Sequence, residues 1–312
     1  MLFGVDCADV ESGKKTSWAA AKAQGPISFA IIRANYGSTP DVSFQTSWPA
    51  IKAVGLTRGA YLFLRFPRKR GAAVPDPDVQ AAAFCKLVGP LSSADLPPTI
   101  DLEFPGNGIS DTGMTARQAL DWLRAAWKIV VATYKVPPIL YTSARVWHED
   151  LGDIAAADLV ESPLWLARYF YASRTTAVRD SGALGSGHMD PPTPPPWGDA
   201  TNWWIHQYQG DALGMPGFGA TVDMDRFNTM FKGATGDRVK WVQRKLGAPE
   251  TGVFDAALNV KVVAFQRGHG LATDGIIGPQ TFAQLCWAKP AVQPLTIPRA
   301  ARTAAPEIPD RP

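Results

Sequence analysis

Hydrophobic residues recur in short runs at 2–7, 28–34, 59–64, 98–103, 138–142, 163–168, 203–208 and 220–224. These runs are rich in Ile, Val, Tyr, Trp and Phe and mostly open after Gly or Pro, the mark of strands. Between the first five lie 18–24, 44–54, 79–88 and 115–134, where apolar residues repeat at helical spacing. Asp76-Pro77 announces the third of these helices, and Gly25, Gly55 and Gly89 stand where C-cap glycines belong. Strands alternating with helices predict an α/β fold, a closed β/α barrel. The second half is irregular. No helical pattern separates Arg168 from Asn202, where a loop carries Pro191-Pro192-Thr193-Pro194-Pro195-Pro196, and a Gly-rich turn too short for a helix joins the last two strands. The expectation is an irregular barrel with eight strands and fewer helices; an open doubly wound sheet is the alternative.

The pattern changes near 233–236. Val239, Trp241, Val242 and Leu246 start a helix; Leu258, Val262 and Phe265 mark a second, and a third ends near Trp287. The turns between them, Thr251-Gly252-Val253-Phe254-Asp255 and Asp274-Gly275-Ile276-Ile277-Gly278, look like halves of an internal repeat. The expected division is a barrel over 1–232, a small all-α three-helix module over 235–288, and a disordered tail over 289–312, rich in Pro, Ala and Arg.

Composition narrows the functional classes. The 312 residues are 46% hydrophobic and 19% charged, and no apolar run approaches the roughly 18 residues of a membrane-spanning helix. Basic residues number 31 against 28 acidic, with the excess beyond residue 234. That suits attachment to an anionic surface and gives no sign of a nucleic-acid partner. Cys7, Cys85 and Cys286 are too sparse for a disulfide framework or a thiolate zinc site, and His148, His188, His206 and His269 lack metal-ligand spacing. No metal or organic cofactor is implied. Gly217-Phe218-Gly219 is no phosphate loop, no nucleophile elbow is present, and Arg68-Lys69-Arg70 reads as a solvated loop.

Carboxylates carry the chemical signal. Residues at strand C-termini face the active-site end of a β/α barrel, and the acids there are Asp6, Asp101, Glu103 and Asp223. Asp101 and Glu103 are two apart and share a strand face. Closure of the barrel sets Asp6 beside Asp223, opposite that pair. A lone strand-end Asp is usually a cap or turn residue, but four converging acids cannot all ionise freely, which is how a general acid arises. Tyr36, Tyr61, Phe63, Tyr141, Trp165, Tyr169, Trp204 and Tyr208 stand near the same ends. Carboxylates with aromatic platforms suit a sugar polymer, although half of these aromatics are expected to be packing residues.

These residues resemble a known family. Gly4-Val5-Asp6, the run ending Tyr36-Gly37, Ala53-Val54-Gly55-Leu56 and Gly59-Ala60-Tyr61-Leu62-Phe63 look like the family 25 glycoside hydrolases. So do Leu96-Pro97, Asp101-Leu102-Glu103, Ile139-Leu140-Tyr141-Thr142, Pro163-Leu164-Trp165-Leu166-Ala167, Gln207-Tyr208 and Val222-Asp223. Residues 235–288 are similar to the three-helix peptidoglycan-binding domain found beside cell-wall hydrolases. The resemblance implies a muramidase (lysozyme) that cuts peptidoglycan between N-acetylmuramic acid and N-acetylglucosamine. It casts Glu103 as general acid/base and Asp101 as the carboxylate steadying the substrate's N-acetyl group. Asp6 and Asp223 position and tune that pair. Of the strand-end aromatics, Tyr36, Tyr61, Phe63, Tyr141, Trp165 and Tyr208 are the candidate substrate-binding residues. Leu62 and His206 stand where the family usually has His and Trp, and bear on subsite shape.

No basic leader precedes an apolar core at the N-terminus. With a wall target, this suggests a phage or prophage endolysin, made in the host cytoplasm and reaching the wall or periplasm after membrane permeabilisation; an autolysin exported by another route is the alternative. A monomer is expected. The alternatives are a non-catalytic wall-binding protein on a degenerate barrel and a hydrolase of another N-acetylglucosamine polymer such as chitin. The module is expected to bind without chemistry of its own, so that removing 235–312 weakens attachment to intact wall and preserves hydrolysis of small soluble fragments.

Overall fold

The computed structural model describes residues 2–8, 16–71, 73–169, 191, 193–198 and 202–288. Most of the proline-rich loop (185–197) and the whole tail (289–312) lie outside them. Among the described residues the strands are β1 (Leu2–Cys7), β2 (Ile27–Tyr36), β3 (Thr39–Pro40), β4 (Thr57–Phe63), β5 (Thr99–Asp101), β6 (Ile139–Ser143), β7 (Leu164–Ala167), β8 (Ile205–Ala212) and β9 (Val222–Phe227). They form one sheet in the order β1-β9-β8-β7-β6-β5-β4-β2-β3, and pairing of β1 with β2 closes eight of them into a barrel. The open doubly wound alternative is excluded. The two-residue β3 only hooks back on β2.

Helices α1 (Trp18–Gln24), α2 (Phe44–Ala53), α3 (Pro77–Val88) and α4 (Ala116–Tyr134) fill the early crossovers. Local chemistry sets their starts. Ser17 caps α1 by accepting from Ala20 N, and Thr115 and Gln118 close a reciprocal capping box on α4. Between β6 and β7 only short helical turns remain, at Val146–Asp150 and Ala157–Leu159.

The last strand departs from the ideal. β9 runs antiparallel to both β8 and β1, because the short loop after β8 allows a hairpin and leaves no chain for a crossover. The remaining barrel pairings are parallel.

Side chains alternate across the barrel wall. Ala30, Ile32, Leu62, Leu140, Leu164 and Leu166 point outward into the layer beneath the helices. Phe29, Ile31, Tyr61, Ile139, Tyr141, Trp165, Ile205 and Phe227 point inward. Gly4 is inward too, and a Cβ there would run into the Phe29 ring, so only glycine fits.

Helices α5 (Asp237–Lys245), α6 (Ala256–Gly268) and α7 (Pro279–Trp287) make the small module. Its core is continuous with the barrel interior. Phe282 lies 4.4 Å from Trp204 and 5.5 Å from Phe227, centroid to centroid. Trp287 Nε1 donates to Asp95 O at 2.8 Å, Arg238 donates to Asn228 O at 2.8 Å, and Met230 bridges to Ile277. The three helices therefore floor the barrel where its parallel strands begin. The module expected from the pattern change near 233–236 is thus packed against the barrel.

The internal repeat is built on two buried glutamines. Gln243 accepts from Gly252 N and donates to Val253 O; Gln266 accepts from Gly275 N and donates to Ile276 O.

Candidate active site

The end of the barrel opposite the module opens into a cleft of about 300 Å³. Asp6, near the end of β1, pairs in register with Asp223, the second residue of β9. Asp223 thus reaches the mouth because β9 is reversed, and not as the end of a parallel strand as the sequence pattern suggested. Asp101 closes β5, and Glu103 follows two residues later. All four acids line the cleft, together with Tyr61, Phe63, Tyr141 and Trp165.

Gln207 organises one wall. Its Oε1 accepts from the hydroxyls of Tyr141 and Tyr169, each at 2.8 Å. With the carbonyl end so occupied, the amide nitrogen turns to the acids, donating to Asp6 Oδ2 at 2.7 Å and Asp223 Oδ2 at 3.2 Å. Asp223 Oδ1 also accepts from Asp211 N at 2.7 Å. Burial pushes the Tyr141 hydroxyl well up, and the neighbouring charge of Glu103 adds to this, so it stays a proton donor. Tyr169 is raised by burial and by Asp223 and Asp6 in the same way.

On the opposite wall, burial holds the Asp101 carboxyl well above the usual range, and the Glu103 charge raises it further; Arg33 opposes both. Arg33 lines the cleft and is anchored by Asp41, 2.8 Å from its Nε. Asp225, fully buried, accepts from Trp165 Nε1 at 2.8 Å below the cleft. Among the described residues, no group of three or more His, Cys, Asp or Glu is arranged to hold a metal ion.

The aromatic residues divide. Tyr61, Tyr141 and Trp165 are packed edge to face as the cleft floor, with Tyr141 and Trp165 4.6 Å apart. Phe63 is half-buried at the wall, and Tyr36 stacks on it at 4.8 Å from the exposed rim. Tyr208 does not reach the cleft. It points outward from β8 into the layer under the helices, edge-on to Phe3, because Gln207 takes the inward position. Trp204 belongs to the module interface at the other end. Leu62 and His206 are also outward. Leu62 is in the outer core; His206 is clamped between Arg226 Nε and Arg168 O, each at 2.8 Å, and burial keeps it neutral with a pKa lowered to about 3. Neither departure touches the cleft.

Three contributors escaped the sequence reading: Arg33, Gln207 as an organiser, and Asp225. Strand parity could have found two of them, since Arg33 follows Phe29 and Ile31 on one face and Asp225 follows Asp223.

Residues 6–215 match the glycosyl hydrolases family 25. The chain belongs to this family. Residues 235–285 of this family 25 chain match a putative peptidoglycan binding domain. Lysozyme M1 of Streptomyces globisporus is 26% identical over 215 residues, 68% of the chain and 63% of that relative, so the chain spans under two thirds of its length. The structure of a family 25 lysozyme from Aspergillus fumigatus is similar at 26% identity and TM-score 0.53, over 73% of this chain and 93% of that one. A bacterial lysozyme from Streptomyces coelicolor shares the fold at 22% identity and TM-score 0.57, over 73% and 92%.

Proposed function

We propose that this family 25 chain is a peptidoglycan hydrolase, an N-acetylmuramidase cutting the β-1,4 bond between N-acetylmuramic acid and N-acetylglucosamine. The observation that carries the reading is the convergence of Asp101 and Glu103 with Asp6 and Asp223 in one cleft. In this reading Glu103 protonates the departing glycosidic oxygen and later activates water. Asp101 steadies the substrate's N-acetyl group as internal nucleophile, with retention at the anomeric carbon. Arg33, which lines the same wall of the cleft, pulls the Asp101 carboxyl toward its charged form against burial and the Glu103 charge. Asp6 and Asp223, fixed by Gln207, supply the negative field around the developing positive sugar. Phe63 and Tyr36 offer the ring faces for sugar stacking, with Tyr61, Tyr141 and Trp165 as the floor beneath. The peptidoglycan-binding match supports the wall as target. The same pairing supports an endolysin role, with a monomer reaching the wall from the host cytoplasm after membrane permeabilisation; lysis of expressing cells only on permeabilisation checks this.

Mass spectrometry of fragments released from purified peptidoglycan and reduced with borohydride tests the bond. Reduced muramic acid ends are expected; reduced glucosamine ends would move the cut to the other bond. Glu103→Gln is expected to abolish release, at least 100-fold, while the protein still pellets with sacculi. Release by Glu103→Gln at the wild-type rate would overturn the assignment of the acid.

A further inference from the structure

We propose that Asp225 is the neutral member of the acid cluster, a protonated carboxyl beneath the cleft that donates to Asp6 and so positions it. The hydrogen-bond geometry supports this assignment. Gln207 has two amide protons and gives one each to Asp6 and Asp223, so both of those carboxyls act as acceptors and are stabilised as anions. Asp225 receives no such help. Its side chain is closed to solvent, and its Oδ1 accepts from the indole N–H of Trp165. Among the described residues no donor reaches its Oδ2. On the paired strand β1, Asp225 stands opposite Gly4, and the next residue of that strand on the same face is itself an acid, Asp6, which acts on this carboxyl. Two facing acids form a hydrogen bond only when one keeps its proton. The groups acting on Asp225 are Trp165 on β7, Asp6 on β1 and Asp223 on its own strand, none of them a cation; its partner across β8 is the neutral Gln207. Burial accordingly pushes the Asp225 carboxyl well up against the pull of the two hydrogen bonds, and the Asp223 charge adds to the push.

The consequence is a division of labour by protonation. Asp6 receives one proton from above, from Gln207, and one from below, from Asp225. It is thereby held as an anion at a fixed place in the cleft wall. Asp225 does not line the cleft, so it acts on the reaction only through Asp6.

The test uses two variants of the full chain. Asp225→Leu removes both hydrogen bonds; Asp225→Asn keeps an acceptor for Trp165 and a donor for Asp6. Infrared difference spectra of wild type minus Asp225→Asn at neutral pH are expected to show the carbonyl stretch of a protonated carboxyl. This readout needs no substrate and stands whether or not the muramidase reading does. An ionised-carboxylate band in its place overturns the proposal. The kinetic arm rests on that reading: with both variants folded by circular dichroism, Asp225→Leu is expected to lose wall-hydrolysis kcat at least tenfold with KM little changed, and Asp225→Asn to rescue it. An Asp225→Asn loss equal to that of Asp225→Leu, or a folded Asp225→Leu at the wild-type rate, overturns it as well.

Discussion

Arg58 donates to Asp95 Oδ1 at 2.6 Å and sets its guanidinium 3.8 Å from the centre of the Trp48 ring, with both side chains largely closed to water. Burial opposes ionisation of Asp95, but the hydrogen bonds from Arg58 and Ser92 outweigh it, and the carboxyl stays below its ordinary value. A carboxyl depressed on folding stabilises above its unfolded pKa of about 3.9, and that contribution is lost as pH falls through the folded value. Asp95→Ala should therefore cost about 3–5 kcal/mol at neutral pH, by leaving Arg58 buried without its counter-charge. In urea titrations the gap between variant and wild type should narrow below about pH 4, where wild-type Asp95 also loses its charge. At this scale the acids at the barrel mouth were the legible residues. Inward-facing acids at the mouth of a barrel have no apolar explanation, so Asp6, Asp101, Glu103 and Asp223 stood out. Aromatic residues fit either side of a strand equally well. Tyr208, one position from the inward Gln207, was assigned to the cleft when its ring belongs to the outer core.

Elements were legible through periodicity and punctuation, and less so in their direction. Seven of the eight expected strands overlap a parallel strand of the barrel, while the eighth became the antiparallel β9. Alternation of polar and apolar residues is the same read from either end. Only the short connection after β8 carried the direction, and it pointed to a hairpin. The repeated turns of the module were visible as Gly-centred motifs, but their clamps were not, since a helical glutamine reads as a surface residue. Gln266 is buried and donates to Asp274, Ile276 and Thr281 while accepting from Gly275. Gln266→Ala should thus cost about 1–3 kcal/mol through the unsatisfied groups left behind. Amide exchange by NMR should show Gly275 losing protection while Gly252, held by Gln243, keeps its own.

For the whole molecule the question is whether the family 25 barrel and the segment that matches a peptidoglycan binding domain are two bodies or one. Composition shifts at 233–236 suggested two, because a change of pattern marks a boundary but not the area buried across it. In the fold, Phe282 from α7 fills the barrel floor between Trp204 and Phe227, and Trp241 packs edge-on against Trp204. Trp287 ties the end of the same helix to the Asp95 loop. Removing 235–312 would uncover this floor, including Ile205 and Phe227, which are fully buried in the intact chain. Phe282→Ala should destabilise by about 3–5 kcal/mol, the usual cost of emptying a large aromatic site. Calorimetry should show the barrel and module melting together, in one transition that moves down as a whole. The truncated chain 1–234 should melt earlier still or aggregate, and should lose hydrolysis of small soluble fragments along with attachment to intact wall. A 1–234 protein with the full-length Tm and undiminished hydrolysis of soluble fragments would mean that the module is only an anchor. The shared core argues instead that the chain cannot give up its C-terminal module without opening the floor beneath its acids.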